Sequence, residues 1–181
     1  MLQISLSGTG GQGLILAGII LAEAAIMDGK EAIQTQSYGP EARGGASKAE
    51  VIISNKPIDY PHVLNADILL VMSQEACNKY SGLVGPKGQL IVDTSVVWEI
   101  PEVAAKVIPL EITRVAKEEL GKVMVANIIA MGALVGLTEA VSIESLKAAV
   151  LARVPKGTEK LNMHALEIGF NMVKGMTKKQ A

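Results

Sequence analysis

Leu2-Gln3-Ile4-Ser5-Leu6-Ser7 runs straight into Gly8-Thr9-Gly10-Gly11-Gln12-Gly13, and an apolar stretch follows from Leu14 to Met27. A short strand, a glycine turn and a long helix pattern in that order open a βαβ unit. Gly8, Gly10 and Gly13 have the G-x-G-x-x-G spacing of its dinucleotide-binding form. There the glycines permit a tight turn and close backbone approach, and the helix N-terminus offers free N–H groups and a positive dipole end to a phosphate. The pattern sets the fold class as α/β: a Rossmann-like, mostly parallel sheet with flanking helices and a helical C-terminal part.

A nicotinamide site needs more than this turn. An Asp or Glu at the carboxyl end of the second strand holds the adenosine ribose, and an Arg there accommodates a 2′-phosphate. The second strand reads Glu31-Ala32-Ile33-Gln34-Thr35-Gln36 and ends on Gln36 and Ser37, with neither residue type in place. Glu31 sits at the opposite end. The chain has the phosphate-type turn without the ribose partner, which argues against a stand-alone NAD or NADP protein. That class stays as an alternative, decided by titrating the purified chain with NAD or a flavin.

Composition narrows the rest. A chain of 181 residues buries an ample core, and no linker or charge run divides it, so residues 1–181 read as one domain. A net charge of −1 leaves no electrostatic footprint for nucleic acid. The Lys-rich spot from Lys174 to Lys179 reads as a frayed C-terminus. No signal-peptide pattern opens the chain. Val123 to Leu137 is too short for a membrane span of about 20 residues and carries Asn127, so it reads as a buried helix. A single cysteine, Cys77, excludes an intrachain disulfide framework and fits a reducing cytoplasm. It also leaves too few ligands for an iron–sulfur cluster or a structural zinc, because His62 and His164 are scattered far from it. The expectation is a chain with no metal and no redox cofactor of its own. No nucleophile–base motif and no carboxylate pair point to hydrolysis.

Periodicity places strands at Gln3–Leu6, Glu31–Gln36, Lys48–Ser54, Asp67–Met72, Gln89–Asp93 and Lys106–Glu111. Gly85-Pro86-Lys87-Gly88 reads as a turn before the fifth. Helices are expected from Gly13 to Asp28, stopped by Gly29, and at Thr113–Leu120, Met124–Leu137, Ile143–Ala152 and Thr158–Lys174. Ser73 reads as the cap of a helix start containing Cys77, and Ser142 as the cap of another. Between strands two and three lies Ser37-Tyr38-Gly39-Pro40-Glu41-Ala42-Arg43-Gly44-Gly45-Ala46-Ser47. About ten residues are too few for a helical crossover, so these strands are expected to be antiparallel neighbours. The loop then leaves the carboxyl rim of the sheet, where open α/β folds bind ligands. That rim should also receive Ser73 and Gln74, and Asp93, Thr94 and Ser95. An ordinary hairpin loop with solvated charges is the plain alternative. Asn127 on its apolar helix either braces a rim loop or satisfies a buried backbone group. His62 reads as a surface loop residue and His164 as a helix-face one; Trp98 is either core or interface.

The strand, Gly-Thr-Gly-Gly-Gln-Gly, the apolar helix and then Gln36-Ser37-Tyr38-Gly39-Pro40-Glu41-Ala42-Arg43-Gly44-Gly45 resemble the gamma subunit of the 2-oxoacid:ferredoxin oxidoreductases, in particular its compact 2-oxoglutarate type. Val51-Ile52-Ile53-Ser54, Leu70-Val71-Met72-Ser73-Gln74-Glu75-Ala76 and the Asn127 helix extend the likeness over nearly the whole chain. The small subunit of the indolepyruvate enzymes shares the glycine turn and stays as a runner-up. The resemblance implies conversion of a 2-oxoacid, coenzyme A and oxidised ferredoxin into acyl-CoA, carbon dioxide and reduced ferredoxin, or the reverse. It implies thiamine diphosphate, magnesium and iron–sulfur clusters carried by alpha, beta and ferredoxin-like delta partners, with ferredoxin as electron acceptor. Gly8, Gly10, Gly11, Gln12, Gly13, Tyr38, Glu41, Arg43, Gly44, Gly45, Ser73, Gln74 and Asn127 are then candidates for a rim facing those partners or coenzyme A. The isolated chain is expected to self-associate, because a hydrophobic content of 49% and an all-round apolar helix suggest faces meant for protein.

Overall fold

Ile4 and Leu6 face one side of the first strand and Ser5 and Ser7 the other, and the same alternation sorts the rest of the sheet into two unequal covers. The computed structural model describes residues 1–37 and 45–176. Its strands are β1 (Leu2–Thr9), β2 (Glu31–Ser37), β3 (Ala46–Ser54), β4 (Ala66–Val71), β5 (Val84–Asp93) and β6 (Lys106–Leu110), ordered β2-β3-β1-β4-β5-β6. β1, β4, β5 and β6 are parallel neighbours, and β3 is antiparallel to both β1 and β2. The mostly parallel sheet and the antiparallel pairing after strand two are as read from the sequence.

Two features differ from that reading. β3 is inserted between β1 and β2, which a dinucleotide-binding βαβ unit would make adjacent. Burial explains the order: Ala49, Val51 and Ile53 face the helical side and Ile52 the other, so β3 needs cover on both faces. β2 is half-exposed along its length and takes the edge. Secondly, Gly85 to Gly88 belong to β5. Its pairing with β4 jumps from Ala66 opposite Val84 to Ile68 opposite Gln89, so these residues bulge from the strand instead of preceding it.

The helices are α1 (Leu14–Met27), α2 (Gln74–Tyr80), α3 (Ile112–Leu120), α4 (Ala126–Thr138), α5 (Ile143–Arg153) and α6 (Glu159–Met172). α1 and α3 to α6 pack on the face carrying Ile4, Leu6, Ile68 and Leu70. The other face, with Leu69, Val71, Leu90 and Val92, is covered by α2 and by loops contributing Val63, Val97 and Ala105. Ser73 and Ser142 cap α2 and α5 by accepting the N–H groups of Ala76 and Ser145, and Gly29 ends α1 at φ +75°. Cys77 is buried with its thiol 3.4 Å from the Ser81 hydroxyl. His164 is exposed on α6, and exposed His62 has Nδ1 3.7 Å from Glu50 Oε2. No helix among the described residues is long and apolar enough to cross a membrane.

The all-round apolar segment is used within the chain. Val123–Val125 forms a 3₁₀ turn, and α4 then runs buried from Ala126 to Val135 in the larger core, packed chiefly against α6. Its apolarity therefore gives no reason to expect self-association, which corrects that part of the sequence argument; only Val123 and Met124 at its start are exposed.

Asp28, the C-cap of α1, ties that helix to α5. Its carboxylate accepts the Ser142 N–H and the Ser142 and Ser145 hydroxyls, each at 2.6 Å. Burial pushes its pKa up, but these hydrogen bonds and the Lys30 charge outweigh that and hold it below the usual value. A depressed folded-state pKa contributes stability that is complete above the unfolded value, about 4, and is lost as pH falls through the folded value. Asp28→Asn should cost about 2 kcal/mol at neutral pH. In urea titrations the gap between variant and parent should close below about pH 4; a gap independent of pH would contradict the linkage.

Candidate functional site

β1 carries the chain to Thr9 at the carboxyl rim, and Gly10 and Gly11 turn it back into α1. Gln12 holds this turn from inside. Its Oε1 accepts the Thr9 N–H at 2.8 Å and its Nε2 donates to Met72 O at 2.7 Å, pinning the turn to the end of β4. The side chain lies over Gly8, where a Cβ would come within 2.1 Å of Gln12 Oε1. Gly11 and Gly13 have φ of +91° and +74°, angles that L side chains rarely adopt. Asn127 Nδ2 donates to Gly13 O at 3.2 Å from the first turn of α4. Both readings of Asn127 thus coincide: it braces the rim loop by satisfying a backbone carbonyl.

The first intrahelical bond of α1 runs from Ala17 N–H to Gly13 O. No side chain caps the helix, and no acid lies in its first turn, so its leading amides face outward as donors. A cleft of about 330 Å³ opens beside them, mostly apolar through Leu16, Val125, Ile128 and Leu161, with Gln12, Lys122, Asn127, Thr158 and Asn162 as polar members. Asn127 Oδ1 is buried with no hydrogen-bond partner among the described residues. A smaller cleft of about 170 Å³ lies across the same turn, lined by Met72, Thr113 and Val123. Met124, 88% exposed, borders both.

Ser73 and Gln74 do reach this rim, yet their polar atoms are engaged internally. Ser73 caps α2. Gln74 Oε1 accepts the N–H groups of Trp98 and Glu99, and its Nε2 donates to Glu99 O and Asn78 Oδ1. Asp93 is likewise occupied, accepting from Ser95 N–H and from the N–H and hydroxyl of Thr113. Gly45 precedes Ala46, which pairs with Thr9, so the C-terminal end of the loop after β2 arrives beside the glycine turn. Tyr38, Glu41, Arg43 and Gly44 lie outside the described residues, as does the stretch from 177 to 181. The structure brings together Gly10, Gly11, Gln12, Gly13 and Asn127, with Gly45 at their side. Sequence reasoning did not single out Lys122 or Met124 at the rim, although it made Met124 the first residue of an apolar helix.

The strand that would carry a ribose partner lies one place away from the glycine turn, with β3 between them. The chain belongs to the pyruvate ferredoxin/flavodoxin oxidoreductase family, whose model matches residues 3–172. It is 51% identical over 175 residues to the 2-oxoglutarate synthase subunit KorC of Methanocaldococcus jannaschii, covering 95% of this chain and 94% of that one. The gamma subunit of the keto/oxoacid ferredoxin oxidoreductase from Geobacter sulfurreducens superposes with a TM-score of 0.87 at 48% identity, over 96% of this chain and 99% of that one. A 2-oxoglutarate:ferredoxin oxidoreductase chain from Magnetococcus marinus has the same fold, with a TM-score of 0.87 at 23% identity. The match covers 99% of this chain and 32% of that longer one.

Proposed function

We propose that this chain is the gamma subunit of a multisubunit 2-oxoglutarate:ferredoxin oxidoreductase. The complex converts 2-oxoglutarate, coenzyme A and oxidised ferredoxin to succinyl-CoA, carbon dioxide and reduced ferredoxin, or the reverse. The observation that carries this is the 51% identity to a 2-oxoglutarate synthase subunit over nearly the full length of both chains. The chain acts through its carboxyl rim, as a domain docked on the alpha, beta and ferredoxin-like delta subunits and close to coenzyme A. The uncapped amides of α1 suit a phosphate or carboxylate, and Lys122 beside the larger cleft adds a positive charge. Arg43, in the loop after β2, is a further candidate for that charge.

The residues present do not fit the redox or thiamine groups of such a complex. An iron–sulfur cluster takes several cysteine ligands, and the single cysteine here, Cys77, lies on α2 with its side chain buried against Ser81. Asp93, an acid of the rim, is buried and already accepts three hydrogen bonds, from Ser95 N–H and from the N–H and hydroxyl of Thr113, so it is engaged in holding the fold. Those groups are assigned to partner subunits, where thiamine diphosphate supplies the carbanion chemistry. This chain contributes binding and orientation. A stand-alone dinucleotide site is disfavoured twice over, because β2 ends on Gln36 and Ser37 and β3 separates it from the glycine turn.

The test is reconstitution from separately purified subunits. The chain alone should be colourless, free of iron and acid-labile sulfide, and inactive. The full set should reduce ferredoxin only with 2-oxoglutarate and coenzyme A present, and pyruvate should substitute poorly. Dye reduction by the pure chain, or full activity when it is omitted, would contradict the assignment.

A further inference from the structure

Trp98 is the one tryptophan of the chain and is 81% exposed, at the carboxyl end of the sheet after β5. Such a ring offers roughly 200 Å² of largely apolar surface that the chain's own core leaves uncovered. The fold holds it outward. Gln74, nine-tenths buried, directs both lone pairs of Oε1 to the Trp98 and Glu99 N–H groups at 3.0 Å, and its Nε2 grips Glu99 O at 2.7 Å. One residue earlier, Val97 is buried and its N–H bonds to Asp93 O at 3.0 Å. The backbone beneath the ring is therefore fixed before any partner arrives, which lowers the ordering cost of binding.

The surroundings are charged on one side only. Glu99 and Glu102 on the same segment, and Glu75 next to Gln74, are exposed and enter no ion pair among the described residues. The nearest lysine of α2, Lys79, lies over the Tyr80 ring. An anchored, solvent-facing indole on a segment that carries exposed, unpaired carboxylates is complementary to an apolar socket edged by Lys or Arg. Tryptophan is among the residues that most often dominate interface energy, and the carboxylates would steer a basic surface onto it.

We propose that Trp98, with Glu99 and Glu102 on its own segment and Glu75 next to Gln74, anchors this chain in a basic-edged apolar socket on another protein subunit of the same oxidoreductase. The proposal rests on the docking function above and adds a second contact region, on the α2 side of the sheet, away from the α1–α4 side where the clefts open. Its test uses 5-fluorotryptophan, which places a single ¹⁹F reporter in the chain. In the isolated chain the resonance should show the full H₂O/D₂O solvent shift; in the reconstituted complex that shift should vanish. Trp98→Ala should keep the melting temperature and raise the dissociation constant for assembly at least tenfold. The double variant Glu99→Lys/Glu102→Lys should weaken assembly by a similar factor and flatten its salt dependence. A label still open to solvent in the assembled complex, or unchanged affinity for Trp98→Ala, overturns the anchor while leaving the docking function standing. Failure of the parent chain to assemble at all overturns both. Loss of the solvent shift in the isolated chain as its concentration rises would reassign the surface to a second copy of the chain and overturn the proposal.

Discussion

Gly169→Leu should destabilise the chain by about 3 kcal/mol or more, the upper range for overpacking a filled core. α4 and α6 cross with their backbones in contact. A Cβ on Gly169 would lie 2.1 Å from Ile129 O and 2.8 Å from Ala133 N, and one on Gly132 would lie 2.4 Å from Leu166 O. Backbone atoms cannot swing aside as a side-chain tip can, so a leucine forces α6 away from α4. That separation also unpacks Ala165 and Leu166, both fully buried in the larger core. For a domain of this size the loss corresponds to a drop of about 10 °C in melting temperature. Gly136→Ala is the milder comparison: its Cβ would meet Val173 Cγ2 at 2.8 Å and Phe170 Cδ1 at 3.3 Å, side-chain instead of backbone atoms. It should cost under about 1 kcal/mol. Thermal and urea unfolding of the two variants decide the point; equal effects would mean that the helices have room to spare.

The same contact shows what the sequence could not convey about α4. An all-round apolar helix is buried on all sides, and periodicity alone does not say whether its own chain or another protein covers it. Here Gly132 and Gly169 let α6 approach closely enough to do so. The strands were legible from alternation, as were the caps at Ser73 and Ser142 and the stop at Gly29, because these depend on local backbone chemistry. The insertion of β3 between β1 and β2 was not, since strand order follows from which faces need cover and not from any one strand's pattern. The bulge at Gly85–Gly88 was read as a turn because glycine and proline mark both.

At the rim, position was legible and role was not. Gln12, Gln74 and Asn127 lie where the sequence put them, but their amides turn inward to hold backbone groups. A polar side chain beside a ligand-type loop serves equally well as a ligand contact or as a brace, and buried polar groups find partners inside the protein whenever they can. Trp98 was undecidable from the sequence for a related reason: whether a lone aromatic is core or surface depends on packing from distant elements. Gln74, more than twenty residues earlier in the chain, fixes it outward.

Gly13→Val should combine the strain of a left-handed position with loss of the Asn127 brace. At φ +74° a β-branched residue costs about 1–3 kcal/mol, and its Cβ would stand 2.6 Å from Asn127 Nδ2. Displacing that amide gives up the bond to Gly13 O, worth about 1 kcal/mol. The sum, about 3 kcal/mol, should appear in urea unfolding, and reconstitution with the partner subunits should weaken in parallel because the turn itself is distorted. Gly10→Ala meets no atom within 4 Å and should leave stability within about 0.5 kcal/mol. If Gly10→Ala nevertheless raises the coenzyme A requirement, the outer surface of the turn touches ligand; if it weakens assembly instead, that surface packs against protein. The clash with Asn127 has its own check. Asn127→Ala removes the atom that a Cβ at position 13 strikes, so Gly13→Ala and Asn127→Ala together should cost less than the sum of the two alone, by about 1 kcal/mol. Strict additivity would show that the brace does not act through this contact, and the cost at Gly13 would then be backbone strain alone.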